Sequence, residues 1–111
     1  MAKVTWAPSA VTDIRNIAEY IAKDSLQSPY AQVELFFEKA TVLERFPMYG
    51  KKVPELNDKN FREILVGRYR IIYEVLSYDE IGIVTVHHQS RLLNTNPVGK
   101  KMLRRQKRRK K

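Results

Sequence analysis

FREILVGRYRIIYEVLSYDEIGIVTVHHQSRLL, residues 61 to 93, is the stretch that decides the fold. It holds three apolar, β-branched runs. Gly67-Arg68 separates the first two, a Gly-X pair suited to a type II′ hairpin turn, because glycine takes a positive φ that a side chain resists. Ser77 to Glu80 separates the second and third, polar residues suited to a longer hairpin loop. The pattern predicts a three-stranded antiparallel meander. Such a sheet must bury a face, and the upstream chain is the material that covers it. In the middle run Tyr69, Ile71, Tyr73 and Val75 alternate with Arg70, Ile72, Glu74 and Leu76. In the last run strict alternation puts Val84, Val86 and His88 on one face and Ile81, Ile83, Thr85 and His87 on the other. Both faces are largely apolar. One is expected to carry helices, the other to form a shallower concave surface with charged edges.

Upstream, Lys3 to Trp6 reads as a short strand that joins this sheet. Pro8 suits the first position of a helix, where its missing N–H costs nothing. Ile14, Ile17, Ala18 and Ile21 recur three and four apart, with Asp13, Arg15, Asn16, Glu19 and Lys23 opposite, so an amphipathic helix is predicted to end near Asp24-Ser25. Ser28 as N-cap and Pro29 as first residue open a second helix through Val33, Phe36, Phe37, Ala40, Leu43 and Phe46, which Pro47 stops. The short connection predicts an antiparallel helical hairpin. Met48 to Asn60 reads as a loop carrying Lys51, Lys52 and Glu55.

The chain of 111 residues suits one domain, with residues 1–97 as the folded body and 98–111 as a basic tail. Its net charge of +9 is misleading as a whole. Nine of its 21 basic residues lie at 100–111, which leaves twelve against twelve acidic ones in the body. Nucleic-acid binding by the body must therefore rest on local patches. Lys100, Lys101, Arg104, Arg105, Arg108 and Arg109 are candidates for a nucleic-acid-binding tail. Composition favours a frayed, solvated tail. A helix near 100–106 with Met102 and Leu103 docked is the other reading. Without cysteine there are no disulfides or thiolate metal sites. No run approaches a membrane span, and no apolar signal region opens the chain. The expectation is a cytoplasmic protein with no cofactor and no metal.

One set of residues carries a family resemblance over residues 4–93. It comprises Pro8-Ser9-Ala10 with Asp13-Ile14, Phe46-Pro47, Arg62-Glu63-Ile64-Leu65 before Gly67, Tyr69-Arg70-Ile71-Ile72-Tyr73, and Val86-His87-His88-Gln89-Ser90. The chain resembles the RelE/ParE toxins of bacterial type II toxin–antitoxin systems. The resemblance implies an α+β fold: an N-terminal strand and an antiparallel helical hairpin packed on a small antiparallel sheet with a C-terminal meander. It also implies a growth-arresting toxin of plasmid stabilisation, held by a cognate antitoxin whose complex represses the operon DNA. RelE-like members cleave mRNA on the ribosome, and ParE-like members poison DNA gyrase.

RNA cleavage through the 2′-hydroxyl needs a base, an acid and positive charge at the phosphate. In the RelE-like reading Arg62, Arg70, His88 and Arg91 supply these and converge near one sheet face. In the other reading Arg70 only ion-pairs with Glu63 or Glu74. The adjacent His87 and His88 face opposite sides and are poor joint metal ligands. There is no tyrosine after position 78 of the kind RelE-like enzymes carry, and the His-Gln-Ser ending is more like the ParE branch. Gyrase inhibition without chemistry is therefore the first expectation, and a ribosome-dependent mRNA endonuclease is the alternative. Lys51, Lys52, Arg70, His87, His88 and Gln89 are the candidates for target or antitoxin binding.

Overall fold

The computed structural model describes residues 1–24 and 26–109, without the side chains of 107–109. The predicted helix-end residue Ser25 and the tail side chains of Arg108 and Arg109 lie outside the described residues. The elements run β1 (Lys3–Trp6), α1 (Pro8–Ala22), α2 (Pro29–Thr41), β2 (Lys51–Lys52), β3 (Phe61–Val66), β4 (Tyr69–Ser77), β5 (Glu80–His88) and α3 (Pro97–Arg109). The five strands form one sheet in the order β1-β5-β4-β3-β2. The meander and the helical hairpin stand as expected.

The sheet is mixed rather than antiparallel throughout, because β1 runs parallel to β5 from Lys3↔Glu80 to Trp6↔Ile83. Lys51 and Lys52, expected in a loop, pair with Glu63 and Arg62 as an edge strand. Gly67 has φ +57° and Arg68 does not share a positive φ, as a type II′ turn requires. The second hairpin is tighter than expected. Its ladder closes at Ser77↔Glu80, so only Tyr78 and Asp79 lie in the loop. The second helix ends at Thr41 instead of running to Phe46, and residues Val42–Glu44 tighten into a 3-10 turn. Phe46 is consequently left exposed. Ser28 caps α2 by accepting from the Ala31 N–H at 3.3 Å, with Pro29 as its first residue.

The helices cover one face. Ala10 and Ile14 of α1 and Phe36 and Ala40 of α2 pack on Ile64, Ile71, Tyr73, Ile81 and Ile83. Trp6, half-buried, meets Phe37 edge-on with ring centroids 4.9 Å apart. Tyr73 is fully buried, and its hydroxyl accepts from the Gly50 N–H at 2.8 Å and donates to the Pro47 carbonyl at 2.9 Å. That hydroxyl sits against Gly50, where a Cβ would lie 2.7 Å from it, so only glycine fits this turn.

Strict alternation fails in β5. The register slips between Ile72↔Thr85 and Tyr73↔Ile83, which makes Val84 the extra residue of a bulge. Val86 therefore joins Ile81 and Ile83 in the helix-side core, and Val84 packs with the opposite cluster. A bulge takes backbone groups out of the ladder, and these need partners. Two residues of α1, one turn apart, supply them. Ser9 Oγ donates to the Val84 carbonyl at 2.6 Å, and Asp13 Oδ2 accepts from the Val86 N–H at 3.0 Å. Asp13, expected on the solvent side of α1, is thus a strand anchor.

The opposite face is not the open concave surface that was expected. Val53, Leu56 and Phe61 close over Ile72, together with Leu93 and Met102. Nor is the segment after Asn96 frayed within the described residues. It is helix α3, docked through buried Met102 and the partly buried Val98 and Leu103. Asn96 opens α3 by accepting from the Val98 and Gly99 N–H groups at 2.9 and 3.2 Å, followed by Pro97. No described helix is long and apolar enough to cross a membrane.

Candidate functional site

The predicted convergence of Arg62, Arg70, Arg91 and a histidine on one face does not occur. Arg62 lies next to Glu63 in β3, so its side chain leaves from the other face. There it donates to the Gly50 carbonyl at 2.7 Å and to the Met48 carbonyl at 3.4 Å. It clasps the turn that Tyr73 also holds. Arg70 pairs with His87 across β4 and β5, and Tyr69 pairs with His88. Arg70 and His87 therefore share the α3 side, while His88 lies on the α1 side.

Arg70 is buried and enclosed by carboxylates. Its Nε donates to Glu63 Oε1 at 2.7 Å, and its terminal nitrogens donate to Glu55 Oε2 and Oε1, both at 2.7 Å. The fork–fork pair with Glu55 is the strong bidentate geometry. Nη2 also sits 2.6 Å from Glu63 Oε1, and Lys51 Nζ lies 3.7 Å from Glu63 Oε2. Two cations thus meet two carboxylates and the cluster is formally neutral. The bidentate bond from Arg70 holds the Glu55 carboxyl below the usual carboxylate range, against some desolvation. Glu55 and, less strongly, Glu63 push Arg70 up. The pairing with Glu63 was one of the alternatives in the sequence, and Glu74 is not a partner among these bonds. Glu55 was missed as a site residue, since a carboxylate in an aperiodic loop signals no partner.

His87 is equally committed. Its Nε2 meets the Arg91 carbonyl at 2.9 Å and its Nδ1 meets the Asn96 amide nitrogen at 3.2 Å. The amide donates, so Nδ1 accepts and Nε2 carries the proton. The same Asn96 amide donates to Thr85 Oγ1 at 2.9 Å, and the Thr85 hydroxyl donates to Asp13 Oδ2. A chain of polar contacts thus runs from α1 through the bulge to the start of α3. Asn96 was missed as a site residue, although Asn96-Pro97 is the same N-cap and first-position signal as Ser28-Pro29.

The remaining candidates are peripheral. Gln89 Nε2 donates to the Gly67 carbonyl at 2.6 Å, which ties the strand end to the first hairpin. Lys51 and Lys52 are exposed at the sheet edge, and Arg91 is exposed beyond β5. Lys100, Lys101, Arg104 and Arg105 are exposed along α3 and form a basic outer face on a docked helix.

The comparisons with known proteins agree with this architecture. Residues 4–93 match the family described as ParE toxin of type II toxin–antitoxin system, parDE. Among solved structures, the chain is similar to one from the chromosomal ParDE system of P. aeruginosa. Their TM-score is 0.64 at 16% identity, over 79% of this chain and 96% of that one. It is also similar to a chain of the RelBE2 toxin–antitoxin complex of Mycobacterium tuberculosis, with TM-score 0.52 and 20% identity over 78% and 96% of the two chains. A third is from the RelB–RelE complex of Methanococcus jannaschii, with TM-score 0.52 and 22% identity over 84% and 99%. No curated protein matches the chain.

Proposed function

The chain belongs to the ParE toxin family of type II toxin–antitoxin systems, and on that premise we propose that it arrests growth by binding DNA gyrase, without chemistry of its own. The observation that carries this reading is the closure of Arg70 between Glu55 and Glu63. Stabilising a phosphorane-like transition state requires positive charge left free to meet it. Here the guanidinium that would supply it is neutralised inside the protein, and His88 lies on the other face.

In this reading a cognate antitoxin holds the toxin, and operator DNA is met only through that complex. The antitoxin's acidic segment meets the exposed cations: Lys51 and Lys52 at the sheet edge, and Lys100, Lys101, Arg104 and Arg105 on α3. Solved relatives in complex with antitoxins, RelBE2 and RelB–RelE among them, support a partner of this kind. The toxin acts in the cytoplasm, where gyrase is.

The test is pulse-labelling in a bacterial host minutes after induction, with thymidine and methionine incorporation followed separately. Thymidine incorporation is expected to fall first, with signs of DNA damage. Methionine incorporation collapsing first would replace this reading with the mRNA endonuclease.

A further inference from the structure

A second site lies at the edge of the sheet beyond the β5 bulge, between α1, the end of β5 and the start of α3. A cleft of about 560 Å³ opens there, within the roughly 300–1,000 Å³ of small-ligand sites. Its walls include three rings: Tyr20 of α1, Tyr69 of β4 and His88 of β5. Tyr69 stands edge-on to His88 at 5.2 Å and edge-on to buried Phe36 at 5.4 Å. That wall is therefore tied to the core and cannot fold in to fill the space. Tyr20, by contrast, is 71% exposed, so its ring is left for something else to cover.

Several polar groups of the cleft can donate. His88 Nδ1 accepts from the Ser90 N–H at 3.1 Å, with the Ser90 hydroxyl at 2.7 Å. The proton of the neutral ring therefore sits on Nε2 and makes it a donor. Arg91 lines the cleft with an exposed side chain, and its backbone is fixed by the bond from His87 to its carbonyl. Burial, and next the charge Tyr20 carries when ionised, push the Tyr69 phenol up, and like any phenol it is a neutral donor near neutrality. One carboxylate faces this space, that of Asp13, and its Oδ2 is already bonded to Val86 and Thr85.

Exposed aromatic faces recruit a planar ring by stacking, and arginine beside neutral donors recruits an anion. One class of small molecule, the nucleoside phosphates, carries both features. We propose that this cleft binds a nucleoside phosphate, with its base against Tyr20 and its phosphate at Arg91 and His88. The proposal uses no part of the gyrase reading, and its readout is binding rather than growth arrest.

Calorimetric titration of the full chain with AMP, GMP, CMP and UMP tests it, alongside adenosine and inorganic phosphate. At least one monophosphate is expected to bind, with adenosine and inorganic phosphate each about tenfold weaker or more. Tyr20→Ala is expected to weaken that binding by about tenfold, within the range of about 5- to 150-fold that stacking on one ring provides. Arg91→Ala is expected to weaken the monophosphate and leave adenosine unchanged. Both side chains are exposed, so both variants should keep the wild-type circular dichroism. Tyr78→Ala, at a tyrosine 89% exposed on a distant hairpin, should leave binding unchanged. The proposal is overturned if none of the four monophosphates binds, if inorganic phosphate binds as tightly as they do, or if Tyr20→Ala has no more effect than Tyr78→Ala.

Discussion

The two faces of this one sheet are closed by different physics. Under α1 and α2 the core contacts are apolar: Ala10, Ile14, Phe36 and Ala40 against Ile71, Tyr73, Ile81 and Ile83, with Ser9 and Asp13 making the polar bonds at the bulge. Area removed from water stabilises that side at about 25 cal/mol per Å². Under α3 and the loop after β2, a smaller apolar cluster around Ile72 shares the face with buried Arg70 and Glu63, which Glu55 and Lys51 meet from more exposed positions. Desolvating those charges is costly, and their mutual attraction offsets the cost only while every partner is present. The contrast bears on function as well as stability. Arg70, on the second face, is not a free chemical group, because Glu55 and Glu63 already meet its charge.

Substitutions on the two faces should therefore fail in different ways. Phe36→Ala removes a fully buried ring, and Arg70→Met leaves Glu63 buried without its main partner. Each is expected to cost about 3–5 kcal/mol, read from the urea unfolding midpoint. The losses differ in whether they can be rescued. Adding Glu63→Leu to Arg70→Met should recover most of the loss, because no unpaired buried charge remains. Adding Tyr69→Ala to Phe36→Ala should deepen it. If the ion-pair double variant is no more stable than Arg70→Met alone, the distinction between the faces fails.

Gly99→Ala separates the faces at smaller scale. A Cβ there would fall inside contact distance of the Leu93 carbonyl and side chain, so α3 must shift. The expected cost is about 1–3 kcal/mol. It should appear in hydrogen exchange as lost protection of residues 97–106, with α1 and α2 unaffected. Gly82→Ala, whose Cβ would meet only Leu76 Cδ1 at 3.5 Å, is the control and should show no such loss.

Glu55→Gln should give the smallest effect, at most about 1 kcal/mol near neutrality, because Glu55 is partly exposed to solvent. Its signature is in the pH dependence. Arg70 lowers the Glu55 pKa in the folded state from an ordinary value of 4.5. The charged form is thus favoured by folding, and its contribution is complete above about pH 4.5. It is lost as the pH falls through the lower folded value. Urea midpoints measured across the acid range should fall less steeply for Glu55→Gln than for the wild type. Phe36→Ala should keep the wild-type slope.

The legible parts of the fold were those that repeat or punctuate. The apolar spacing of Ile14, Ile17 and Ile21, the Ser28-Pro29 start and the glycine of the Gly67-Arg68 turn each carry their structure locally. Asn96-Pro97 carries the same signal as Ser28-Pro29, and went unread because only Val98, Met102 and Leu103 follow it among cations. Those three residues suffice for a helix with a small apolar patch to dock against. The β5 bulge was not legible. Val84 looks like any other β-branched strand residue, and the extra residue shows only against its partner strand. Asp13 was read as solvent-facing for the same reason, since its partner is a backbone N–H freed 73 residues away.

Taken alone, the sequence determined the first strand, the helical hairpin, the meander and the family, because these rest on local spacing and on residues that resemble a known set. The tertiary structure alone decided which charges were free. Arg70, Glu55 and Glu63 are ordinary polar residues along the chain, and only folding brings the loop carrying Glu55 onto β4 and puts Arg62 on the other face. Whether a guanidinium meets a substrate or a carboxylate depends on long-range contacts. Neither hydrophobic periodicity nor turn chemistry encodes such contacts.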